Sequence, residues 1–464
     1  MKKRLAGILA GTLLSIPTAA QANGRYPASN QFMVHPRNPD IILVRATFGL
    51  MLSKDHGQSF HWICEQLFKI SGNVDPGVAL FGDGSYAIGG LPGLAVSHDD
   101  GCSFPFIGGS LKDQYVIDLA VDGSDPRRGV AITATDRPSS SRHVQVFETN
   151  DNGTTWTATS APLDPGYIVT TIDVAPSDPN VLYVGGGVVS TSGRRGIVIR
   201  SNDRGRTWSA PTFSDPNAIV FYVSGVDPTD PDRVFVRQLM ADPQKGDKLL
   251  ISHDGFKTFD VVPVEFTASI TGTSMTGFAV SPDGTAVAIG GLADGVYIGA
   301  RPSSGNDYRF HRTSMTPVNC LKYADGVLYG CGYANQEGIT SFVIGKSHDD
   351  GATWTPMVKT LQNIAGPLPV NHCASDSPYA ATCPAAWEQQ RCMFVKFGDP
   401  CIDVRTGDAG QADPGSPPSG SSGGGDSGCG ILPRTAPKAA MGIAAFVLTV
   451  ALIARRVRAG RRAA

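Results

Sequence analysis

The sequence predicts an all-β chain, a seven-bladed β-propeller with four-stranded blades, plus a C-terminal apolar helix. Three observations carry this expectation. Glycine makes up about 12% of the 464 residues against a usual ~7%, and charged residues 17% against ~25%. Many short strands joined by tight turns give that balance. An eight-residue pattern, Ser-x-Asp-x-Gly-x-Thr/Ser-Trp/Phe, recurs at spacings of 44 to 52 residues, a period that belongs to propellers and solenoids. Between copies, alternating apolar and polar runs are broken by Asp-Pro and Pro-Asp turns, which marks strands. A hydrophobic content of 41% fills a core and excludes wholesale disorder.

The elements follow in chain order. Lys2, Lys3 and Arg4 precede an apolar run from Leu5 to Ile16 and small residues at Ala20 and Ala22. This is the layout of a secretory signal over residues 1–22, cut between Ala22 and Asn23. It directs the chain to an oxidising compartment.

Residues 23–360 are assigned to the propeller. The pattern starts at Ser53 (Asp55, Gly57), Ser97 (Asp99, Gly101), Thr149 (Asp151, Gly153, Trp156), Ser201 (Asp203, Gly205, Trp208) and Ser347 (Asp349, Gly351, Trp354). A weaker copy at Ser252 (Asp254) has its glycine one place early. A decayed copy, Ser303 to Phe310, falls in the double gap before Ser347 and completes seven units. Strands such as Val144–Phe147, Ile197–Ile199 and Lys248–Ile251 lead into the pattern. The pattern has a physical reason: a tight hairpin needs glycine where φ is positive, and an Asp carboxylate to accept nearby backbone N–H groups. The Ser or Thr hydroxyl adds local hydrogen bonds, and the aromatic is placed to pack between blades.

Residues 361–406 hold Cys373, Cys383, Cys392 and Cys401 at gaps of 10, 9 and 9, read as a two-disulfide cap with three pairings open. No Cys-x-x-Cys or His pair accompanies them, which argues against zinc. Cys320 and Cys331 flank the turn at Asp325-Gly326 and can bridge within one hairpin. Cys64 and Cys102 can join adjacent blades. Residues 407–428 contain eight Gly, five Ser and three Pro and read as a flexible linker. Residues 429–464 hold Cys429, an apolar helix of about 439–454 read as membrane-spanning, and a terminal arginine cluster.

Gly428-Cys429, the short apolar helix and Arg455, Arg456 and Arg458 together resemble the MYXO-CTERM sorting signal. The resemblance implies cleavage near Cys429 and display of the body at the cell surface or outer membrane, or its release outside. The eight-residue repeats resemble the Asp-box (BNR repeat) propellers of the sialidase and sortilin-like superfamily, over roughly residues 30–360. That group also includes xyloglucanases and photosystem assembly factors. The resemblance implies the fold and places the boxes structurally, on outer blade turns away from the axis.

Residues 23–428 carry 29 basic and 41 acidic side chains, a net −12 that repels phosphate backbones and excludes nucleic acid as a partner. A sialidase would resemble its relatives in an Arg-Ile-Pro element, a set of arginines and a Tyr/Glu pair. Arg25-Tyr26-Pro27 matches only superficially, and the chain has five glutamates, Glu65, Glu148, Glu265, Glu337 and Glu388. Paired carboxylates offer a second hydrolytic route. Asp118 and Asp173 are read as equivalent positions on the innermost strands of blades three and four, facing the axial channel. His98, His253 and His348 take the exposed second place of a box. No Walker loop, dinucleotide fingerprint, HExxH or Gly-x-Ser-x-Gly elbow occurs, so no cofactor or metal is implied. The expectation is an exported, surface-displayed, non-catalytic module binding a protein or glycan, with a glycan-active hydrolase as the alternative. Its contact with the membrane is through the C-terminal segment.

Overall fold

The computed structural model describes residues 29–394, apart from 70–75, 136–142, 191–192, 214–217, 243–244, 268–273, 305–307 and 333–341. Seven antiparallel sheets succeed one another along the chain, each built from consecutive strands. Their first strands are Ser29–Val34, Gly77–Leu80, Tyr115–Val121, Tyr167–Val174, Ala218–Asp227, Met275–Val280 and Cys320–Ala324. From blade two onward the first strands of successive blades lie side by side, and that of blade seven lies against that of blade one. The result is a seven-bladed propeller with four-stranded blades as its rule. Blade two has three strands, and blade one gains a fifth from Gly366–Pro367.

Alternation along the strands buries both faces of each blade, so the core is a series of blade-to-blade interfaces. Val130, Ile132, Val144 and Val146 of blade three meet Ile172, Leu182, Val184 and Ile199 of blade four. Blades four and five share a second such cluster, around Tyr183, Phe221 and Phe256. Blades five and six share a third, around Phe235, Ile289 and Tyr308.

Each well-formed box begins on the last residue of its blade's third strand and, except in three-stranded blade two, turns the chain into the fourth, at the blade periphery. In blade four Ser201 Oγ donates to Asp203 Oδ1 at 2.8 Å and accepts from the Gly205 amide at 2.8 Å. Asp203 Oδ1 accepts from the Thr207 amide at 2.8 Å, and Oδ2 from its hydroxyl at 2.6 Å. The same four bonds recur at Ser53, Ser97, Thr149 and Ser347. In the Ser252 copy Phe256 takes the glycine's place: its amide donates to Ser252 Oγ at 3.0 Å with φ at +66°. The decayed copy lies partly outside the described residues. Trp156 is buried, whereas Trp208 and Trp354 are half-buried.

The C-terminal segment is a strap on blades one and two. Gly366–Pro367 pairs in parallel with His61–Cys64, and a helix, α1 (Pro378–Phe394), packs behind it. The Tyr379 hydroxyl donates to Trp62 O at 3.0 Å and accepts from the Leu368 amide at 2.6 Å. Disulfides join Cys64 to Cys383 and Cys102 to Cys373, while Cys320–Cys331 closes its own hairpin. Two cysteine expectations are thereby corrected. Cys64 and Cys102 do not pair with each other, because each faces the strap, and Cys373 and Cys383 staple outward rather than forming a self-contained cap. Cys392 has no disulfide partner among the described residues, and Cys401 lies outside them. The strap belongs to the same compact unit as the propeller. No helix among the described residues is long and apolar enough to cross a membrane. The signal, the linker, Cys429 and the segment 439–454 all lie outside the described residues.

Candidate ligand-binding site in the axial channel

The inner strands of blades one, three, four, five and six each carry a β-bulge near their starts. A bulge re-aims side chains at a barrel or sheet rim. Here it turns short polar side chains onto the neighbouring blade. Thr170 Oγ1 donates to Phe221 O at 2.7 Å, and Thr276 Oγ1 to Val318 O at 2.6 Å. Asn319 Nδ2 donates to Ser29 O at 2.8 Å, and Gln31 Nε2 to Val78 O at 3.2 Å. The channel wall is therefore a belt of blade-to-blade hydrogen bonds.

At this level a cavity of about 270 Å³ opens, walled by the inner strands of blades one, four, five, six and seven. Only the axis is common to all five. Asn30, Gln31, Thr171, Ser224 and Thr276 give it amide and hydroxyl groups, and Phe32, Phe278 and Leu321 an apolar side. No carboxylate among the described residues lines it. Its one cation among the described residues is Arg237, from the second strand of blade five. The guanidinium lies 4.2 Å over the Tyr222 ring, donates through Nη1 to Met275 O at 3.0 Å, and has Nε 4.0 Å from Asp247 Oδ2. Asp247 is itself anchored by the Ser274 and Met275 amides at 2.9 and 3.0 Å. A cation held by stacking, one carbonyl and one carboxylate is pre-oriented for a ligand.

Asp118 and Asp173 stand apart from this cavity and from each other's register. Val121 and Val174 end their strands level, pairing with Gly129 and Leu182. Counted back, Asp118 is level with Thr171, and Asp173 with Ala120. The expected equivalence is corrected: the shared Ile-Asp runs are offset by two residues, and the turns at Asp125-Pro126 and Asp178-Pro179 fix the true register. Asp118 Oδ2 accepts from the Ile172 amide at 3.0 Å, as Thr171 Oγ1 accepts from the Val223 amide at 2.8 Å. Asp173 Oδ1 accepts from the Val174 amide at 2.9 Å.

Both acids titrate high. Burial pushes the Asp118 carboxyl up to about 7, against the pull of the Ile172 and Leu119 amides, and the Asp173 charge adds to the rise. Burial pushes Asp173 up to about 6, opposed by the Val174 amide and the Lys322 ammonium. Lys322, from blade seven across the ring, opens to the channel yet is enclosed by protein, so burial lowers its pKa while Asp173 raises it. The box residues lie far from this axis, at the turns into the outermost strands. His98, His253 and His348 are exposed there.

Arg237 was invisible to sequence reasoning, which looked for function on the innermost strands. Arg237 sits one strand out and reaches the channel through partners distant in sequence. The pairing of an Arg with an Asp ten residues later, across a hairpin, was the one available signal.

No known protein family matches the chain, and neither does any curated protein. Among solved structures it is similar to an ancestral GH74 enzyme, at 15% identity and a TM-score of 0.47, covering 65% of this chain and 40% of that one. It is similar to the Hadza microbial sialidase Hz136, at 12% identity and a TM-score of 0.38, over 71% of this chain and 76% of that one. The Cps50 (Swd1) β-propeller domain of Myceliophteria thermophila matches at 12% identity and a TM-score of 0.42, over 66% and 93%. The chain thus spans less than half the length of the GH74 enzyme it matches.

Proposed function

We propose that this chain is an exported, surface-displayed propeller that acts as a non-catalytic binding module, taking a protein or glycan group into the axial cavity. The observation that carries the reading is Arg237, fixed by Tyr222, Asp247 and the Met275 carbonyl in a cavity of neutral amides and hydroxyls. Such a wall can hold and orient a polar ligand. The described residues that line it include no pair of carboxylates. In this reading the signal at residues 1–22 exports the chain. The 407–428 linker and the MYXO-CTERM-like tail, with its segment 439–454 at the membrane and processing near Cys429, then display it.

The alternative is a glycan-active hydrolase using Asp118 and Asp173. Its support is the raised titration of both acids, which suits a general acid. Against it, Asp118 already serves as the acceptor that joins two blades. The two readings separate on one set of measurements. Binding to glycan and peptide arrays should be found with wild type and lost in Arg237→Met, with the circular dichroism spectrum unchanged. Turnover of a fluorogenic glycoside panel, abolished by Asp118→Asn, would replace the binding reading with the hydrolytic one.

A further inference from the structure

The strap meets blade two through three side chains whose chemistry exceeds stapling. Cys102 occupies the sixth place of the second box, and His372-Cys373 lies between the strap strand and α1. Their two sulfurs and one imidazole nitrogen lie within 4.8 Å of one another. His372 Nε2 is 3.0 Å from Asp100 O and 3.3 Å from Asp100 Oδ2. A carbonyl oxygen only accepts, so Nε2 carries the proton and Nδ1 keeps the lone pair. An imidazole held by a carbonyl and a carboxylate through its other nitrogen is the usual support of a metal-bound histidine.

We propose that Cys102, His372 and Cys373, once the Cys102–Cys373 bond is reduced, form a binding site for a thiophilic divalent cation such as zinc. The metal then holds the strap on blade two in place of the disulfide. Two thiolates and one imidazole are a zinc donor set that leaves a fourth position for water or Asp100. Bonds of roughly 2.0–2.3 Å put tetrahedral ligands roughly 3.3–3.8 Å apart, so the present cluster needs only local adjustment. The adjustment falls on Cys373, half-buried in a loop.

The chemistry balances. A dithiol reductant supplies two electrons and two protons and closes to its own disulfide, while the Cys102–Cys373 bond opens to two thiols. The cation displaces both thiol protons to solvent. His372 and Asp100 accompany the Cys102–Cys373 bond, and Lys54 pairs with Asp100. Cys64–Cys383 has no such company: both residues are fully buried, and no metal-ligand cluster includes them among the described residues. Sequence spacing argued against zinc at Cys373, Cys383, Cys392 and Cys401, which hold no Cys-x-x-Cys and no His pair; the fold, not the spacing, brings Cys102 to His372 and Cys373.

Cobalt(II) added to the full chain after treatment with a phosphine reductant is the direct probe. The expected result is one equivalent bound, with sulfur-to-cobalt charge transfer and tetrahedral visible bands. Cys373→Ser should abolish these bands, His372→Ala should weaken binding at least 10-fold, and Cys64→Ser/Cys383→Ser should keep them. Oxidised protein should show none. Bands of equal strength in Cys102→Ser/Cys373→Ser, or none in reduced wild type, overturn the proposal. If reduction unfolds the chain, zinc must restore its circular dichroism and shield Cys102 and Cys373 from alkylation, mapped by mass spectrometry. Failure of either also overturns it.

Discussion

Asp118 Oδ2 accepts the Ile172 amide at 3.0 Å, so a carboxylate facing the axis also joins blade three to blade four. A threonine does the same work one blade later, where Thr171 accepts from Val223 at 2.8 Å. The charge at residue 118 is therefore not needed for the joint, and burial makes it costly.

That cost depends on pH with a definite sign. An unfolded Asp titrates near 4, whereas folded Asp118 titrates at about 7. The folded chain holds this proton more tightly, so its contribution to stability falls as pH rises from 4 and is fully lost above 7. Asp118→Asn keeps an acceptor for Ile172 and should raise stability by roughly 2–4 kcal/mol at pH 8 and by little at pH 4. Urea unfolding at both pH values measures this. An equal gain at the two would rule out the titration as its cause.

Phe256 sits at φ +66°, a conformation that bulky residues avoid, and stacks on Phe259 at 5.0 Å. Phe256→Ala should cost roughly 3–5 kcal/mol through the cavity it leaves. Phe256→Gly removes one more carbon yet relieves about 1 kcal/mol of backbone strain. Its melting temperature should equal or exceed that of the Ala variant. A clearly lower value would show that the positive φ carries no strain.

The two strap disulfides span 319 and 271 residues, and each keeps the long ring closed when the other is missing. Cys64→Ser/Cys383→Ser or Cys102→Ser/Cys373→Ser alone, in metal-free buffer, should cost roughly 2–4 kcal/mol. Removal of both pairs should cost more than the sum, because only then does the large loop open. Strict additivity in chemical denaturation would show that the strap stays docked without either bond.

Trp156 is buried and donates through Nε1 to Gly153 O at 2.9 Å, whereas Trp208 is half-buried and its Nε1 finds no partner among the described residues. Trp156→Ala should lose roughly 3–5 kcal/mol, and Trp208→Ala clearly less. Thermal melts of the pair decide it, and equal losses would contradict the difference in burial.

What the sequence disclosed follows from the range of the forces. A box completes its hydrogen bonds between residues at most four apart, as from Ser201 to Gly205 and Asp203 to Thr207, so its pattern survives as a readable string. Blade number followed from counting those strings. The Cys320–Cys331 bridge was legible for the same reason, since a two-residue turn brings its ends together. The partners of Cys64 and Cys102 lie hundreds of residues away, and no local spacing encodes them. The register of Asp173 was misread because similar tetrapeptides outweighed the turn that follows. Arg237 was missed because its orientation is set by Tyr222, Met275 and Asp247, three residues on separate stretches of chain.

The strap has a consequence for synthesis. Blades one and two leave the ribosome first, yet their staples come from residues 373 and 383, after all seven blades have been made. Until then the nascent chain carries Cys64 and Cys102 as thiols that have nothing correct to bond. A message cut short between codons 359 and 372 yields every blade and no closure. Synthesis of the strap, after the blades, thus tests whether the whole propeller was built before it is locked.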